Sequence, residues 1–144
     1  MTTTILARRD HDVTDAPLTA DATFPRKPAS VTEARAWLTK TLEAWNIGGD
    51  TVDDAVLLLS ETFTNGLIHA EGDAPTTDVT VALWDGRLRV SVSDPDREIH
   101  RRDDSDDEHG RGQPLLLALA EAFGTAPIPA GKIVWFEIAT GGAR

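Results

Sequence analysis

The 144-residue chain contains no cysteine, which excludes disulfide bonds, thiolate metal sites and thiol nucleophiles. It also lacks any apolar run approaching the roughly 18 residues that a membrane span needs. Its N-terminus has no basic segment followed by an apolar stretch, so no signal peptide is predicted. From these absences we expect a cytoplasmic protein that does not associate with a membrane.

Basic residues are scarce. There are 14 Lys and Arg against 24 Asp and Glu, which gives a net charge of −10. Such a chain is a poor match for a phosphate backbone, so direct nucleic-acid binding is not expected. Part of the acidic excess lies in the run at 103–108, which is typical of a solvated loop. The length predicts one domain with a single sizeable core.

Apolar periodicity predicts three helices, at residues 30–46, 50–70 and 115–123. Ser30 and Glu33 have the spacing of a capping box at the start of the first helix. Gly48 and Gly49 are expected to end that helix, and Asp50 to cap the next one. The third helix is expected to end at Gly124.

The apolar period changes to two from Thr76 onwards, which predicts strands at 79–83, 88–92 and 132–139. Asp85-Gly86 is a hairpin signal between the first two of them. Before residue 24, only an edge strand starting at 5–7 is predicted. Residues 95–112 are polar and form too long a connection to be routine, which indicates a functional or disordered loop. The element order predicts an α+β fold, a two-layer sandwich with helices on one face of a mixed sheet.

The second predicted helix has two unlike faces. Glu61, Asn65 and His69 are spaced four apart and fall within about 80° of arc on one face. The opposite face carries an apolar stripe: Val52, Val56, Leu59, Phe63 and Leu67. This pattern predicts a helix with its back in the core and its front in a pocket. The alternative is a solvent-facing surface for Glu61 and Asn65, and for His69 a structural bond to the backbone near the helix end.

Asp94 ends a predicted strand, and Gly110-Arg111-Gly112 precedes the third predicted helix. A helix start favours anions such as phosphate, so one nucleotide could join both places. Asn65 could then hold a divalent cation, and Glu61 could orient or deprotonate an attacking hydroxyl. In the alternative reading, Asp94 is a turn residue and the two glycines only end a flexible loop.

These motifs, in this order, resemble the Bergerat ATP-binding fold of the gyrase, heat-shock chaperone, histidine-kinase and mismatch-repair ATPases. The order is Glu61-x-x-x-Asn65 on a helix, a strand ending in Asp94, and a lid ending in Gly-x-Gly. The small size and Asn65-x-x-x-His69-Ala70 are most similar to the stand-alone anti-sigma-factor serine/threonine kinases of actinobacteria. The resemblance divides the chain into a partly ordered segment 1–23 and an ATP-binding domain 24–144 with a lid at 95–112.

The resemblance implies that Glu61 is the general base for phosphoryl transfer and that Asn65 is the Mg²⁺ ligand. It implies that Asp94 accepts a hydrogen bond from the adenine amino group. The other ATP-binding residues that it implies are His69, Asp96, Gly110, Arg111 and Gly112. The implied cofactors are ATP and Mg²⁺. The implied partners are a sigma factor, an antagonist protein phosphorylated on serine or threonine, and a second copy of the chain.

Two departures from the family pattern favour an alternative function. Asp96 stands where the first glycine of the Asp-x-Gly-x-Gly motif is expected. Lys132 and Ile133 stand where a Thr or Ser commonly begins the last strand and helps to hold the adenine. The alternative is a catalytically inactive regulatory binding module that binds ATP weakly or not at all.

Overall fold

A computed structural model describes residues 2–5, 17–69, 74–95 and 118–140. The helices are α1 (Ala29–Ala44) and α2 (Gly49–His69). The strands are β1 (Thr2–Ile5), β2 (Leu18–Pro25), β3 (Thr76–Trp84), β4 (Arg87–Asp94), β5 (Ala122–Ile128) and β6 (Gly131–Ala139). Neither α1 nor α2 has the length and apolar composition of a membrane-spanning helix.

The strands form one sheet in the order β1-β2-β3-β4-β6-β5. The two-layer α+β architecture predicted from the sequence is confirmed. Every described strand pair is antiparallel, however, so the prediction of a mixed sheet is wrong for these strands. The pairs β3–β4 and β5–β6 are hairpins, and two strands joined by a tight turn must run antiparallel. β4 and β6 also pair antiparallel.

The turn between β3 and β4 has the predicted geometry. Asp85 and Gly86 both have positive φ, at 55° and 75°. A two-residue turn of this kind matches the twist of the strands that it joins, and Asp-Gly is well suited to it. The register Trp84↔Arg87 confirms a tight hairpin.

The core lies between the two helices and one face of the sheet. The apolar stripe predicted on α2 is confirmed, since Val52, Val56, Leu59 and Phe63 are buried and Leu67 packs against them at the margin. The other fully buried side chains include Leu38 and Leu42 of α1, Val79 and Val81 of β3, Leu88 and Val90 of β4, and Phe136 of β6. Each large apolar side chain buried in this way contributes about 1.5–3 kcal/mol to stability.

The predicted capping box at the start of α1 is wrong. Pro28 is the N-cap residue, and no side chain makes a capping hydrogen bond there. Ser30 lies inside the helix and is fully buried, and its hydroxyl has no hydrogen-bond partner among the described residues. The physical reason is that Pro28 already has helical φ and ψ (−57°, −34°), so the helix begins before Ser30.

The predicted third helix extends too far. Residues 118–119 are helical, but Ala122 and Phe123 already belong to β5. Gly124 does not end a helix; a Cβ there would lie 3.0 Å from the Trp135 ring, so the glycine makes space for the indole on the paired strand.

The sequence predicts no strand over residues 18–23, which β2 covers. This strand buries Ala20, Ala22 and Phe24 on alternate positions. Alanine is a weak signal of burial, which is why the alternation was missed. The strand also runs across the predicted boundary between residues 23 and 24.

Candidate functional site

The polar face of α2 lies at the margin of the core. Glu61 and Asn65 are both half-buried, whereas Phe63 on the other side of the helix is 1% exposed. Because they are one helical turn apart, their side chains lie on one face of the helix. Burial of the apolar stripe therefore holds a carboxylate and an amide side by side on the opposite face.

Asp94 is the last residue of β4, and it is 9% exposed. It lies directly opposite Lys132 of β6, and Asp94 Oδ2 is 3.9 Å from Lys132 Nζ. Side chains alternate between the two faces of a strand, and Asp94 and Lys132 occupy positions in line with the core-facing residues of their strands. They therefore lie on the face covered by the helices. The helix-facing end of the sheet therefore holds a buried pair of opposite charges.

Thr77 of β3 lies on the other side of Asp94. Thr77 is 2% exposed. β3 and β4 pair with Val79 opposite Val92, and continuing this register by two residues puts Thr77 opposite Asp94. Thr77, Asp94 and Lys132 thus form a row across three neighbouring strands, which we call the sheet-end row. Its groups are a hydroxyl, a carboxylate and an ammonium.

Gly66 brings α2 onto the sheet-end row. A Cβ added at Gly66 would lie 3.5 Å from Asp94 Oδ2, so the helix backbone passes close to this carboxylate. Gly66 directly follows Asn65 in the chain. The helix backbone next to the predicted metal ligand therefore lies close to the predicted base-binding carboxylate of β4.

Arg26 forms hydrogen bonds with both α2 and the sheet-end row. Its Nη2 donates to the carbonyl oxygen of Gly66 at 3.1 Å, and its Nη1 donates to Thr77 Oγ1 at 3.4 Å. One guanidinium therefore joins the last turns of α2 to the sheet-end row. Sequence reasoning missed Arg26, and the available signal was slight: a basic residue directly after the strand-ending Pro25 in an acidic chain.

Gly131 positions Lys132. Its φ is 154°, and a Cβ there would lie 2.0 Å from the carbonyl oxygen of Asp94 and 2.8 Å from Pro95 backbone atoms. No side chain can be accommodated at that distance. Glycine therefore lets the start of β6 touch the end of β4, which places the Lys132 ammonium beside the Asp94 carboxylate.

The donor set fits a magnesium–nucleotide complex better than a metal bound by protein alone. In the described part of the chain, no group of three or more His, Cys, Asp or Glu residues could hold a metal ion. Asn65 offers one side-chain oxygen, and Mg²⁺ in nucleotide sites is held by one or two protein ligands together with phosphate oxygens and water. Asn65 with bound phosphates would satisfy that requirement.

Several predictions fall outside the described residues. These are the assignments of Asp96, Gly110, Arg111 and Gly112, the lid after Pro95, and the side chain of His69.

A separate cleft of ≈ 600 Å³ lies between α1 and the first turns of α2. Its lining includes Arg35, Glu43 and Asp53, but none of the residues of the candidate site. On α2 it is lined by residues within 49–57, before the segment that carries Glu61 and Asn65.

The chain was compared with models of known families. Residues 24–138 match the model of the histidine kinase-like ATPase domain. The matched range begins within β2, ends within β6 and includes Glu61, Asn65 and Asp94. No curated protein matches the chain.

Proposed function

This chain belongs to the histidine kinase-like ATPase domain family, and on that premise we propose that it is a protein serine/threonine kinase of the anti-sigma-factor type. Family membership supports nucleotide binding and makes kinase or ATPase activity plausible. The narrower activity rests on the residues of the candidate site and on the resemblance of Glu61-x-x-x-Asn65-x-x-x-His69-Ala70 to those kinases.

The observation that carries the proposal is the close approach of α2 to Asp94. Gly66 lies against the Asp94 carboxylate, and Asn65 precedes it on the same helix. A nucleotide with its base at Asp94 would then extend along α2 with its phosphates toward Asn65. The close approach of α2 to Asp94 therefore supports a nucleotide site at the motif residues.

Asp94 is suited to bind the base. Its carboxylate is buried, and a hydrogen bond to a charged acceptor is stronger than one between neutral groups. It would accept from the exocyclic amino group of adenine. The hydroxyl of Thr77 lies in the same row and is oriented by Arg26.

Asn65 and Glu61 would act on the phosphates. Bound Mg²⁺ supplies charge neutralisation and orients the phosphate oxygens. Asn65 would hold it through the side-chain oxygen. Glu61, one turn earlier, would accept the proton of a serine or threonine hydroxyl as that oxygen attacks the terminal phosphorus and ADP leaves.

The partners are proposed from the resemblance. They are a sigma factor, and an antagonist protein that is the phosphate acceptor. A homodimer is proposed on the same ground, whereas a cytoplasmic location is proposed from the composition of the sequence. The net charge of −10 favours basic surfaces on a partner and disfavours direct nucleic-acid binding.

Calorimetric titration with ATP, with and without Mg²⁺, tests the nucleotide site. We expect Mg²⁺-dependent binding, and its loss in Asn65→Ala with an unchanged melting temperature. Ile68→Ala is the matched control, since Ile68 is 66% exposed on the same helix. Unchanged affinity in Asn65→Ala would remove Asn65 from the site.

Phosphate transfer is tested separately. Glu61→Ala should retain ATP binding but lose transfer from radiolabelled ATP to the acceptor protein, and Glu43→Ala, an exposed glutamate of α1, should retain both. Transfer at the wild-type rate in Glu61→Ala would contradict the assignment of the base.

A second function is a regulatory binding module with weak or no ATP binding. The position of Lys132 favours it, because an ammonium 3.9 Å from Asp94 could compete with the base for that carboxylate. Absence of measurable heat at millimolar ATP, with no change in melting temperature, would select this function over the kinase.

A further inference from the structure

Lys132 is buried to an extent that is unusual for lysine. Its side chain is 9% exposed, and it lies on the helix-facing side of the sheet beside Asp94. Burial of an ammonium is costly unless a partner of opposite charge accompanies it. Asp94 supplies that charge, and Gly131 has no side chain that would prevent the approach.

The geometry of the pair suits a shared ligand. Asp94 Oδ2 and Lys132 Nζ are 3.9 Å apart and attract each other as opposite charges. The separation is small enough for neighbouring atoms of one base edge to reach both. The carboxylate can only accept hydrogen bonds, and the ammonium can only donate them.

Both purines present a donor next to an acceptor on the edge that would meet this pair. Adenine presents its amino group and N1, and guanine presents N1–H and O6. With adenine, Asp94 would accept from the amino group and Lys132 would donate to N1. With guanine in a turned orientation, Lys132 would donate to O6 and Asp94 would accept from N1–H.

We propose that Lys132 contacts the purine directly and that the Asp94–Lys132 pair allows the site to bind guanine as well as adenine nucleotides. The inference rests on the proposed nucleotide site and extends it to the specificity for the base. A fixed ammonium places a positive charge at the carbonyl oxygen of guanine, where a carboxylate alone would repel it.

The test compares binding of MgATP, MgGTP and MgITP to the wild-type protein, Lys132→Thr and Lys132→Met. Inosine has the N1–H and O6 edge of guanine without its 2-amino group, so it isolates the contact. We expect GTP and ITP to bind the wild-type protein within about tenfold of ATP. Each Lys132 variant should lose about ten- to a hundredfold more affinity for GTP and ITP than for ATP.

Lys40→Met is the matched control, because Lys40 is exposed on α1. It should leave all three affinities unchanged. If Lys132→Met does not fold, the proposal is still tested by Lys132→Thr and by the ratio of ATP to GTP affinity in the wild-type protein. A wild-type preference for ATP over GTP greater than about a hundredfold, or a ratio that Lys132 variants do not change, would overturn this inference alone. Failure of every nucleotide to bind the folded wild-type protein would overturn the proposed function and this inference with it.

Discussion

Two carboxylates in this domain are buried to the same degree but are held differently. Glu137, on the outer face of the sheet, accepts hydrogen bonds from Arg87 at 2.9 Å and from Arg89 at 2.8 Å. Asp94, at the helix-facing end, has the Lys132 ammonium 3.9 Å away. Their side chains are 9% and 10% exposed. Burial alone therefore does not distinguish a structural carboxylate from a candidate ligand-binding one.

The surroundings of Glu137 explain why it is structural. The Arg89 guanidinium stacks over the Trp135 ring at 4.1 Å, so its position is fixed before it donates. Burial raises the pKa of the Glu137 carboxyl, but hydrogen bonds and charge from Arg89 and Arg87 lower it by more, and the pKa lies below the ordinary 4.5. In the sheet-end row, by contrast, backbone register places the groups side by side and Arg26 donates to Thr77.

The largest effect is expected from Gly131→Ala. The added Cβ would meet Asp94 O at 2.0 Å, so the ends of β4 and β6 must separate. We expect a loss of about 3 kcal/mol in the free energy of unfolding. Chemical denaturation would measure it. Gly48→Ala is the control, since no atom in the described part of the chain lies within 4 Å of a Cβ there. An equal loss in both variants would contradict the close approach.

The contrast between the two carboxylates is tested by Glu137→Ala and Asp94→Asn. Glu137→Ala should lower the free energy of unfolding by about 1–2 kcal/mol and leave ATP affinity unchanged. The loss is limited because Arg87 and Arg89 are partly exposed, so that water screens their charges. Asp94→Asn should lower ATP affinity about ten- to a hundredfold. Denaturation and calorimetry on both variants give the two readouts. The comparison fails if Glu137→Ala weakens ATP binding as much as Asp94→Asn does.

A smaller effect is expected from Arg26→Met. The variant keeps much of the aliphatic length but loses the donors to Gly66 and Thr77. We expect about 1 kcal/mol of destabilisation. Relative to the wild-type protein, amide hydrogen exchange in the variant should become faster in the last turns of α2 and change less in α1. Equal changes in both helices would show that Arg26 acts on the fold as a whole.

The smallest effect concerns pH. Because the pKa of Glu137 is lowered in the folded state, the unfolded chain binds a proton there more tightly. The stabilisation is therefore complete above the ordinary pKa of 4.5 and is lost as pH falls below it. Glu137→Gln does not titrate, so its stability should fall less than that of the wild-type protein between about pH 5.5 and about pH 3.5. Parallel curves for the two proteins would exclude this contribution.

Much of the fold follows from local pattern. The apolar stripe of α2 and the Asp85-Gly86 turn are strong signals, and both predictions are confirmed. β5 was missed because Gly124 is a usual helix terminator, whereas here it makes room for Trp135. That requirement comes from the neighbouring strand and cannot be seen in the segment itself.

In the candidate site, too, some features follow from the local sequence and others depend on packing between distant segments. The spacing of Glu61 and Asn65 places them on one face of a helix, and the pattern of β4 places Asp94 at a strand end. The pairing of Asp94 with Lys132 depends on the register between β4 and β6, which sequence spacing does not contain. The position of Arg26 depends likewise on packing between β2, β3 and α2.

The sheet order has a consequence for the time course of folding. β4 and β6 are neighbours in the sheet although β5 lies between them along the chain. Their pairing must therefore close a long loop, and contacts of that kind form slowly. Asp94 and Lys132 meet only when that closure is complete. A nucleotide that needs both would select chains whose sheet has closed, and binding would then report the end of folding.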